Sequence, residues 1–166
     1  MPTHFSDLNI NKALLNALED IGFDTPTPIQ EESFPKLLSG KNVVGIAQTG
    51  TGKTLAYLLP ILTEHKFSKS VKPRALIVVP TRELVIQVVE QIELLTKYMT
   101  VRVLGVYGGV NINTQKIALA QGVDILVATP RRLYDLAVNR AVQLQEVKKL
   151  VIDEVDVMLD LGFLFQ

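Results

Sequence analysis

Short apolar runs alternate with segments of helical periodicity, and this alternation limits the possible folds more than any other feature. Five runs rich in β-branched residues are typical of strands: "NVVGIA" (42–47), "ALIVVP" (75–80), "VRVLGVYG" (101–108), "DILVATP" (124–130) and "KLVIDEVD" (149–156). Each run is apolar on both phases, as in strands buried on two faces of a mostly parallel sheet. The intervening segments predict helices over 11–20, 28–38, 53–64, 81–99, 112–120 and 132–139. We therefore expect an α/β fold with helices on both faces of the sheet.

Composition narrows the class of protein. The length of 166 residues suits one domain. The 17 basic and 17 acidic residues cancel, so any contact with nucleic acid has to be local. The chain has no cysteine, which excludes disulfides and thiolate metal sites. The longest apolar run (55–62) is too short for a bilayer span, and the N-terminal residues lack a signal-peptide layout, so we expect a cytoplasmic protein with no membrane partner.

Ligands of open α/β sheets bind beyond the carboxyl ends of the strands, so the residues that follow each apolar run are the candidates. The first run leads into "AQTGTGKT", which comprises Ala47, Gln48, Thr49, Gly50, Thr51, Gly52, Lys53 and Thr54. Its glycines let backbone N–H groups turn toward phosphate oxygens, Lys53 adds a cation, and Thr54 offers a hydroxyl to Mg²⁺. Ala47 replaces the first glycine of the usual phosphate-loop pattern. A simple glycine-rich turn is the alternative, but the predicted strand before it and helix after it favour nucleotide binding.

The last apolar run ends in acidic residues, because Asp153 and Glu154 come directly after three apolar residues. Asp153 can hold Mg²⁺ through its water shell, and Glu154 can orient or deprotonate an attacking water. An acidic turn alone is usually solvated surface. With a phosphate loop upstream, the pattern instead favours a catalytic site that uses Glu154 and Lys53.

Arginines stand at two predicted helix starts, where the helix dipole favours acidic residues. Arg82 lies in "PTREL" (80–84), and Arg131 and Arg132 lie in "TPRR" (129–132). Each costs its helix about 0.3–1 kcal/mol unless an anion binds there. A phosphate bound at such a helix end makes the arginine stabilising instead, because the backbone N–H groups, the helix dipole and the guanidinium all attract it. Solvent-exposed arginines without a ligand are the alternative, but the repeated arrangement favours contact with a row of phosphates.

The order of these motifs resembles the N-terminal RecA-like domain of DEAD-box ATP-dependent RNA helicases, over essentially the whole chain. The resemblance rests on "GFDTPTPIQ" (22–30), "AQTGTGKT" (47–54), "PTREL" (80–84), "GG" (108–109), "TPRR" (129–132) and "DEVD" (153–156). It implies a three-layer RecA-like P-loop NTPase domain over residues 1–166, with ATP and Mg²⁺ as cofactors. It also implies RNA as a partner, bound through sequence-independent backbone contacts.

The resemblance assigns further residues. Gln30 would read the adenine edge, and Phe5 would pack on the base. Thr27 and Gln30 also form a well-spaced capping box at a helix start, and the two roles compete for one amide. The RNA contacts would come from Pro80, Thr81, Arg82, Gly108, Gly109, Thr129, Pro130, Arg131 and Arg132.

Three residues depart from the family pattern. Val85 and Val155 stand where alanine is usual, and Arg131 stands where the family has glycine. Arg131 either strengthens a phosphate contact or screens the helix N–H groups from it, and both possibilities stay open.

The sequence also stops before the family's Ser-Ala-Thr motif and its second RecA-like domain. We therefore expect a domain truncated before its last strands, without the strand between 42–47 and 149–156. Hydrolysis in the family takes place between two domains, so we expect the chain alone to be inactive. A non-catalytic RNA- or protein-binding module and a DNA helicase relative are the alternatives.

Overall fold

The computed structural model describes residues 4–162, and it confirms the α/β prediction. In chain order these residues form a short 3-10 helix (Phe5–Asp7), α1 (Lys12–Asp20), α2 (Pro28–Leu38), α3 (Lys53–Thr63), β1 (Ala75–Val78), α4 (Arg82–Leu95), β2 (Val103–Val106), α5 (Ile112–Ala120), β3 (Ile125–Ala128), α6 (Pro130–Val138), β4 (Lys149–Ile152) and α7 (Val155–Asp160). The strands pair in parallel in the order β2-β3-β1-β4. Each strand is thus followed by a helix, and for β1, β2 and β3 the sequence pattern predicted this helix.

The described residues divide into two compact units. The first holds the 3-10 helix, α1, α2, α3 and residues 92–100, and the second holds the whole sheet with residues 67–91 and the chain from Val101 onward. In the first unit α2 packs against α3. Helix α3 carries the longest apolar run and is buried nearly all round, through Leu55, Ala56, Leu58, Leu59, Pro60, Ile61 and Leu62. None of the helices in residues 4–162 has the length and hydrophobicity needed to cross a membrane.

The central strands β1 and β3 are largely buried on both faces of the sheet, whereas β4, contrary to the prediction, leaves Leu150 and Ile152 exposed (60% and 44%). One face packs into an apolar cluster with α5 and α6, made of Leu76, Val106, Leu119, Val123, Leu126, Ala128, Leu136 and Val142. The alternate residues Ile77, Ile125 and Val127 point to the other face and are also almost fully buried. Burial of both phases explains why these strands read as continuous apolar runs.

Asp124 joins the amino ends of three strands. Its carboxylate accepts hydrogen bonds from the Arg102 backbone N–H (2.8 Å) and guanidinium (2.8 and 3.1 Å), and Arg74 Nη2 lies 3.5 Å away. These residues directly precede β3, β2 and β1. Arg102 also donates to the carbonyls of Ser68 and Ser70, which fixes the loop before β1. The Asp124 carboxylate raises the pKa of the Arg102 guanidinium above its already high value.

Gly105 lets α4 approach β2 closely. A Cβ added at Gly105 would lie 2.7 Å from Val85 Cγ1 and 3.0 Å from Val89 Cγ2. Val85, which departs from the expected alanine, is fully buried at this contact. The glycine in the strand thus provides the space that the larger helix side chain occupies.

The structure corrects two further predictions from the sequence and adds one helix. Residues 42–47 form no strand, and Val44 and Ile46 are 89% and 95% exposed. A strand needs a neighbour for its backbone N–H and C=O groups, and the described residues pair none with this run. Helix α4 ends at Leu95 rather than continuing to 99, and α7 was not predicted.

We predict that Asp124→Asn lowers the free energy of unfolding by about 3 kcal/mol, because it leaves the Arg102 charge without its counterion. This value is at the low end for a buried ion pair because the Arg102 side chain is 27% exposed. The matched control is Asp20→Asn, which removes the exposed ion pair of Asp20 with Lys97. Lys97 and Tyr98 lower the pKa of Asp20 through hydrogen bonds, but solvent screens this pair, so its loss should matter much less. Urea unfolding measures both, and equal effects would contradict the role of Asp124.

A second prediction concerns Gly105. Gly105→Ala should destabilise the chain by about 1–3 kcal/mol, because its methyl group would overlap Val85. Val85→Ala should also destabilise, because it leaves a cavity. The double variant should be more stable than the sum of the two losses predicts, since each change relieves the other. Additive losses in thermal unfolding would show that the two residues do not compete for space.

Candidate nucleotide and nucleic-acid sites

The phosphate-loop residues lie in the first unit and lead into α3. Gly50 and Gly52 adopt positive φ angles of 82° and 84°, which glycine tolerates without strain. Thr51 Oγ1 donates a hydrogen bond to the Gln48 carbonyl (2.6 Å) and closes the turn. Gly52 precedes the first residue of the helix, so the unpaired N–H groups of the first turn follow the loop directly. Such a turn can surround an anion with backbone donors.

Lys53 and Thr54 are the first two residues of α3, and both are partly exposed. The side chain of Lys53 makes no hydrogen bond or ion pair with the residues described, so its cation stays available to a ligand. Their roles toward phosphate and Mg²⁺ remain predictions.

Gln30 is buried and bonded at both ends of its amide. Its Oε1 accepts from the Thr27 N–H (2.9 Å), which is one half of the predicted capping box. Its Nε2 donates to the Gly52 carbonyl (3.0 Å) and so links α2 to the phosphate loop. With Thr27 at the N-cap and Gln30 at the third helical position, the predicted capping box is present at the start of α2. A primary amide keeps one N–H and one lone pair after two such bonds, so adenine recognition by Gln30 stays a prediction.

Phe5 lies in the 3-10 helix, where its N–H donates to the Asp24 carbonyl (3.1 Å). Its ring is only 3% exposed and is covered by protein. Stacking on a base would require part of that cover to move. The predicted packing of Phe5 on adenine is therefore not visible in this conformation.

The acidic turn follows β4 in the second unit. The Asp153 N–H donates to the Val78 carbonyl (3.0 Å), and Asp153 Oδ1 accepts from the Glu154 N–H (2.9 Å). Glu154 adopts left-handed angles (φ 53°, ψ 49°), a strained conformation for a residue with a side chain. Residues held in such conformations concentrate at functional sites, which supports the predicted role of Glu154.

The side chains predicted to bind Mg²⁺ carry oxygen ligands of the type that this ion prefers. Mg²⁺ prefers oxygen ligands, keeps several waters, and takes one or two protein oxygens together with phosphate oxygens. Thr54 and Asp153 offer a hydroxyl and a carboxylate of this type. Among residues 4–162 no three His, Cys, Asp or Glu side chains cluster as a metal site. Water and phosphate oxygens would therefore supply most of the ligands.

Two of the predicted RNA-contact motifs open helices of the second unit. Arg82 is the first residue of α4, and Thr81 Oγ1 accepts from the Leu84 N–H (3.3 Å). Helix α6 begins at Pro130, after Thr129 in an extended conformation. These motifs follow β1 and β3, and the Gly-Gly motif follows β2. Because the three strands are neighbours and parallel, all three motifs lie at one edge of the sheet.

Arg82 is exposed, and its guanidinium carbon lies 5.0 Å from the centre of the Tyr107 ring. This cation–π contact orients the arginine over the end of β2. Gly108 and Gly109 follow, with Gly109 at φ 83°. A Cβ added at Gly109 would lie 3.7 Å from Arg82 Nη1, so the glycine loop and the arginine adjoin. Pro80 is buried, which leaves its side chain no surface for RNA.

The two arginines of "TPRR" differ in environment. Arg131 is exposed, and its side chain makes no hydrogen bond or ion pair with the described residues. Arg132 Nη1 donates to Gln115 Oε1 (2.8 Å), and Nη2 donates to the Val110 carbonyl (3.1 Å). The sequence made Arg132 the stronger candidate for a phosphate contact, whereas this environment favours Arg131.

Tyr107 and Gln115 were missed by the sequence analysis. Tyr107 is adjacent to the glycine pair, so its position could have indicated a role. Gln115 is a buried polar residue on α5, and no motif or spacing in the sequence singles it out.

A parallel α/β sheet, a glycine-rich turn that opens a helix, and an acidic turn after a strand together define the class of phosphate-loop α/β proteins. The comparisons with known proteins place the chain within that class. A family model described as DEAD/DEAH box helicase matches residues 27–166. The chain belongs to this family.

Similar proteins and similar solved structures support the same family. The chain is 43% identical to the ATP-dependent RNA helicase DeaD of Haemophilus influenzae, over 96% of this chain and 26% of the relative. It is 47% identical to the ATP-dependent RNA helicase CshA of Limosilactobacillus reuteri, over 96% and 32%. A DEAD box protein from Methanococcus jannaschii has the same fold, with a TM-score of 0.90, 37% identity, and coverage of 96% of this chain and 44% of that one. The chain thus spans about a third or less of the length of these curated relatives.

We predict that Gly52→Ala is more destabilising than Gly50→Ala. Both substitutions force a side chain into positive φ, at a cost of about 1–2 kcal/mol. Only at Gly52 would the new Cβ lie 2.3 Å from Gln30 Nε2, whereas a Cβ at Gly50 meets nothing within 4 Å. Gly52→Ala should therefore also break the bond between Gln30 and the loop. Urea unfolding gives the difference, and equal losses would rule out a tight contact.

Proposed function

We propose that this chain is the ATP- and RNA-binding first RecA-like domain of an ATP-dependent RNA helicase. In the full-length protein, ATP hydrolysis would be coupled to local separation of RNA duplexes, and a second RecA-like domain of the same chain would complete the site. Two facts support this: membership of the DEAD/DEAH box helicase family, and relatives that are two to four times as long as the matched region. A cytoplasmic location is part of the proposal and is compatible with the cysteine-free composition.

The observation that carries the proposal is the placement of ligand-type residues at the carboxyl edge of the sheet. Arg82, the Gly108–Gly109 pair and Arg131 follow three adjacent parallel strands. A row of donors and cations at neighbouring strand ends suits a backbone of repeated phosphates better than one small anion. RNA would then be held without regard to base sequence.

Several residues have proposed roles toward the nucleotide. The phosphate loop from Ala47 to Thr54 would hold the phosphates, with Lys53 neutralising the outer ones. Gln30 would select adenine, and Phe5 would pack on the base once uncovered. Thr54 and Asp153 would hold the Mg²⁺ that, when bound, neutralises charge on the phosphates. Glu154 would orient the attacking water and accept its proton.

We predict weak but measurable ATP binding by the chain. Lys53→Ala should weaken it by about 10-fold to 100-fold, the value of one charge-assisted contact to phosphate. The matched control is Lys12→Ala, because Lys12 also opens a helix and is exposed but has no glycine loop before it. Gln30→Ala should reduce the preference for ATP over GTP. Calorimetric titration with each Mg²⁺–nucleotide is the measurement, and equal affinity for ATP and GTP before mutation would remove the adenine assignment.

A further inference from the structure

Gln115 on α5 spans two of the proposed RNA motifs. It is only 7% exposed, and its Nε2 donates to the Tyr107 carbonyl (3.1 Å) at the end of β2. Its Oε1 accepts from Arg132 Nη1 (2.8 Å) near the start of α6. A buried amide without partners would cost stability, and here both of its ends are satisfied by residues of the candidate RNA surface. The side chain thus bridges the Gly-Gly motif and the "TPRR" motif.

Arg132 completes this bridge. Its Nη2 donates to the Val110 carbonyl (3.1 Å), and its Nε is buried without a partner among the described residues. The planar guanidinium therefore spans two acceptors, Gln115 Oε1 and Val110 O, and faces the loop. Lysine carries its three N–H groups on a single nitrogen, so it lacks the two separate Nη atoms that reach Gln115 and Val110 here.

The tethered segment is the glycine loop between Tyr107 and Val110. Gly108 and Gly109 have no side chains that could anchor them, and Gly109 is in the left-handed region. The bonds from Gln115 and Arg132 hold the carbonyls on either side of this pair. A loop that is free to move pays an ordering cost when it binds a ligand, and a loop fixed beforehand avoids it.

We infer that Gln115 and Arg132 are a positioning pair that preorganises the Gly108–Gly109 loop for the RNA backbone. Arg131 and Arg82, whose guanidinium groups are exposed, are then the cations that meet phosphate. This inference rests on the proposed RNA-binding function. It differs from the expectation that Arg132 itself is a phosphate ligand.

Substitution of Arg132 by lysine distinguishes the two roles. If Arg132 bound phosphate as a cation, Arg132→Lys would keep most of the affinity, because lysine also binds phosphate as a point charge. If it positions the loop, Arg132→Lys should weaken binding as much as Arg132→Ala, by about 5-fold to 10-fold. Gln115→Met, which keeps the size of the side chain but not its hydrogen bonds, should give a similar loss. The double variant Gln115→Met/Arg132→Lys should lose no more RNA affinity than either single variant, since each substitution already breaks the same bridge.

Salt dependence supplies an independent readout. Removing one phosphate contact to a single strand lowers the slope of log K against log salt by about 0.7. Arg131→Ala should lower the slope by this amount, whereas Arg132→Ala and Gln115→Met should reduce affinity with the slope unchanged. Ile117→Ala serves as the control, because Ile117 is on α5 near Gln115 but is 64% exposed.

The experiment measures fluorescence anisotropy of a labelled oligouridylate with the chain, between about 50 and 200 mM salt. Urea unfolding corrects each affinity for the folded fraction, and backbone NMR order parameters follow the motion of the loop without RNA. The order parameters of Gly109 and Val110 should fall in Gln115→Met and Arg132→Lys but not in Arg131→Ala.

Distinct results would overturn the two proposals. A lower salt slope in Arg132→Ala, with affinity retained in Arg132→Lys, would make Arg132 a phosphate ligand and end the inference. Unchanged order parameters in Gln115→Met would end it as well, whether or not RNA binds. Failure of the unmutated chain to bind oligouridylate at any salt concentration, with the order parameters responding as expected, would instead overturn the proposed RNA binding and leave the tether in place.

Discussion

The contact on which the second unit depends most is the Asp124 carboxylate with its two arginines. Asp124 is almost fully buried, and its partners Arg102 and Arg74 precede the two neighbouring strands. A slip of one strand by one residue would move its apolar side chains to the wrong face and separate the carboxylate from a guanidinium. Leaving one buried charge unpaired costs about 3–5 kcal/mol, so the observed register is strongly preferred over its neighbours.

Register at the amino ends determines what meets at the carboxyl ends. The strands are each four residues long and parallel, and Ala75, Ile125 and Val103 are in register. Their last residues therefore end together, and the segments that follow them emerge side by side. The arginines and glycines proposed for RNA occupy these segments. An ion pair at one edge of the sheet thereby aligns the candidate site at the opposite edge.

The fold and the site were predictable from the sequence to different extents. Parallel strands buried on both faces give continuous apolar runs, so β1, β3 and their helices were evident. The run at 42–47 has the same local signal, but a strand also needs a paired neighbour, and pairing is not a local property. The start of α6 could be placed from Thr129 and Pro130, which favour an N-cap and a first helical position, although the periodic pattern predicted the helix only from 132. The tether through Gln115 was not, because it joins residues brought together only by the packing of α5 and α6.

Gln30 and Arg132 show why a residue's chemistry alone did not give its role. Gln30 was assigned to a ligand by the family resemblance and Arg132 by its place at a helix start, and in the structure both bond to the chain itself. A buried polar group needs a partner whenever no ligand is present, so an intramolecular bond is the expected state of either residue. The difference between them is in what their bonds hold. Gln30 keeps an N–H and a lone pair after its two bonds, but it is only 3% exposed, so a base edge could reach it only once it is uncovered. Arg132 keeps three of its five N–H groups, and the other two hold Gln115 and the Val110 carbonyl beside the glycine loop. A phosphate that took these two groups would release the loop that it is proposed to meet, so retaining the bonds favours positioning by Arg132.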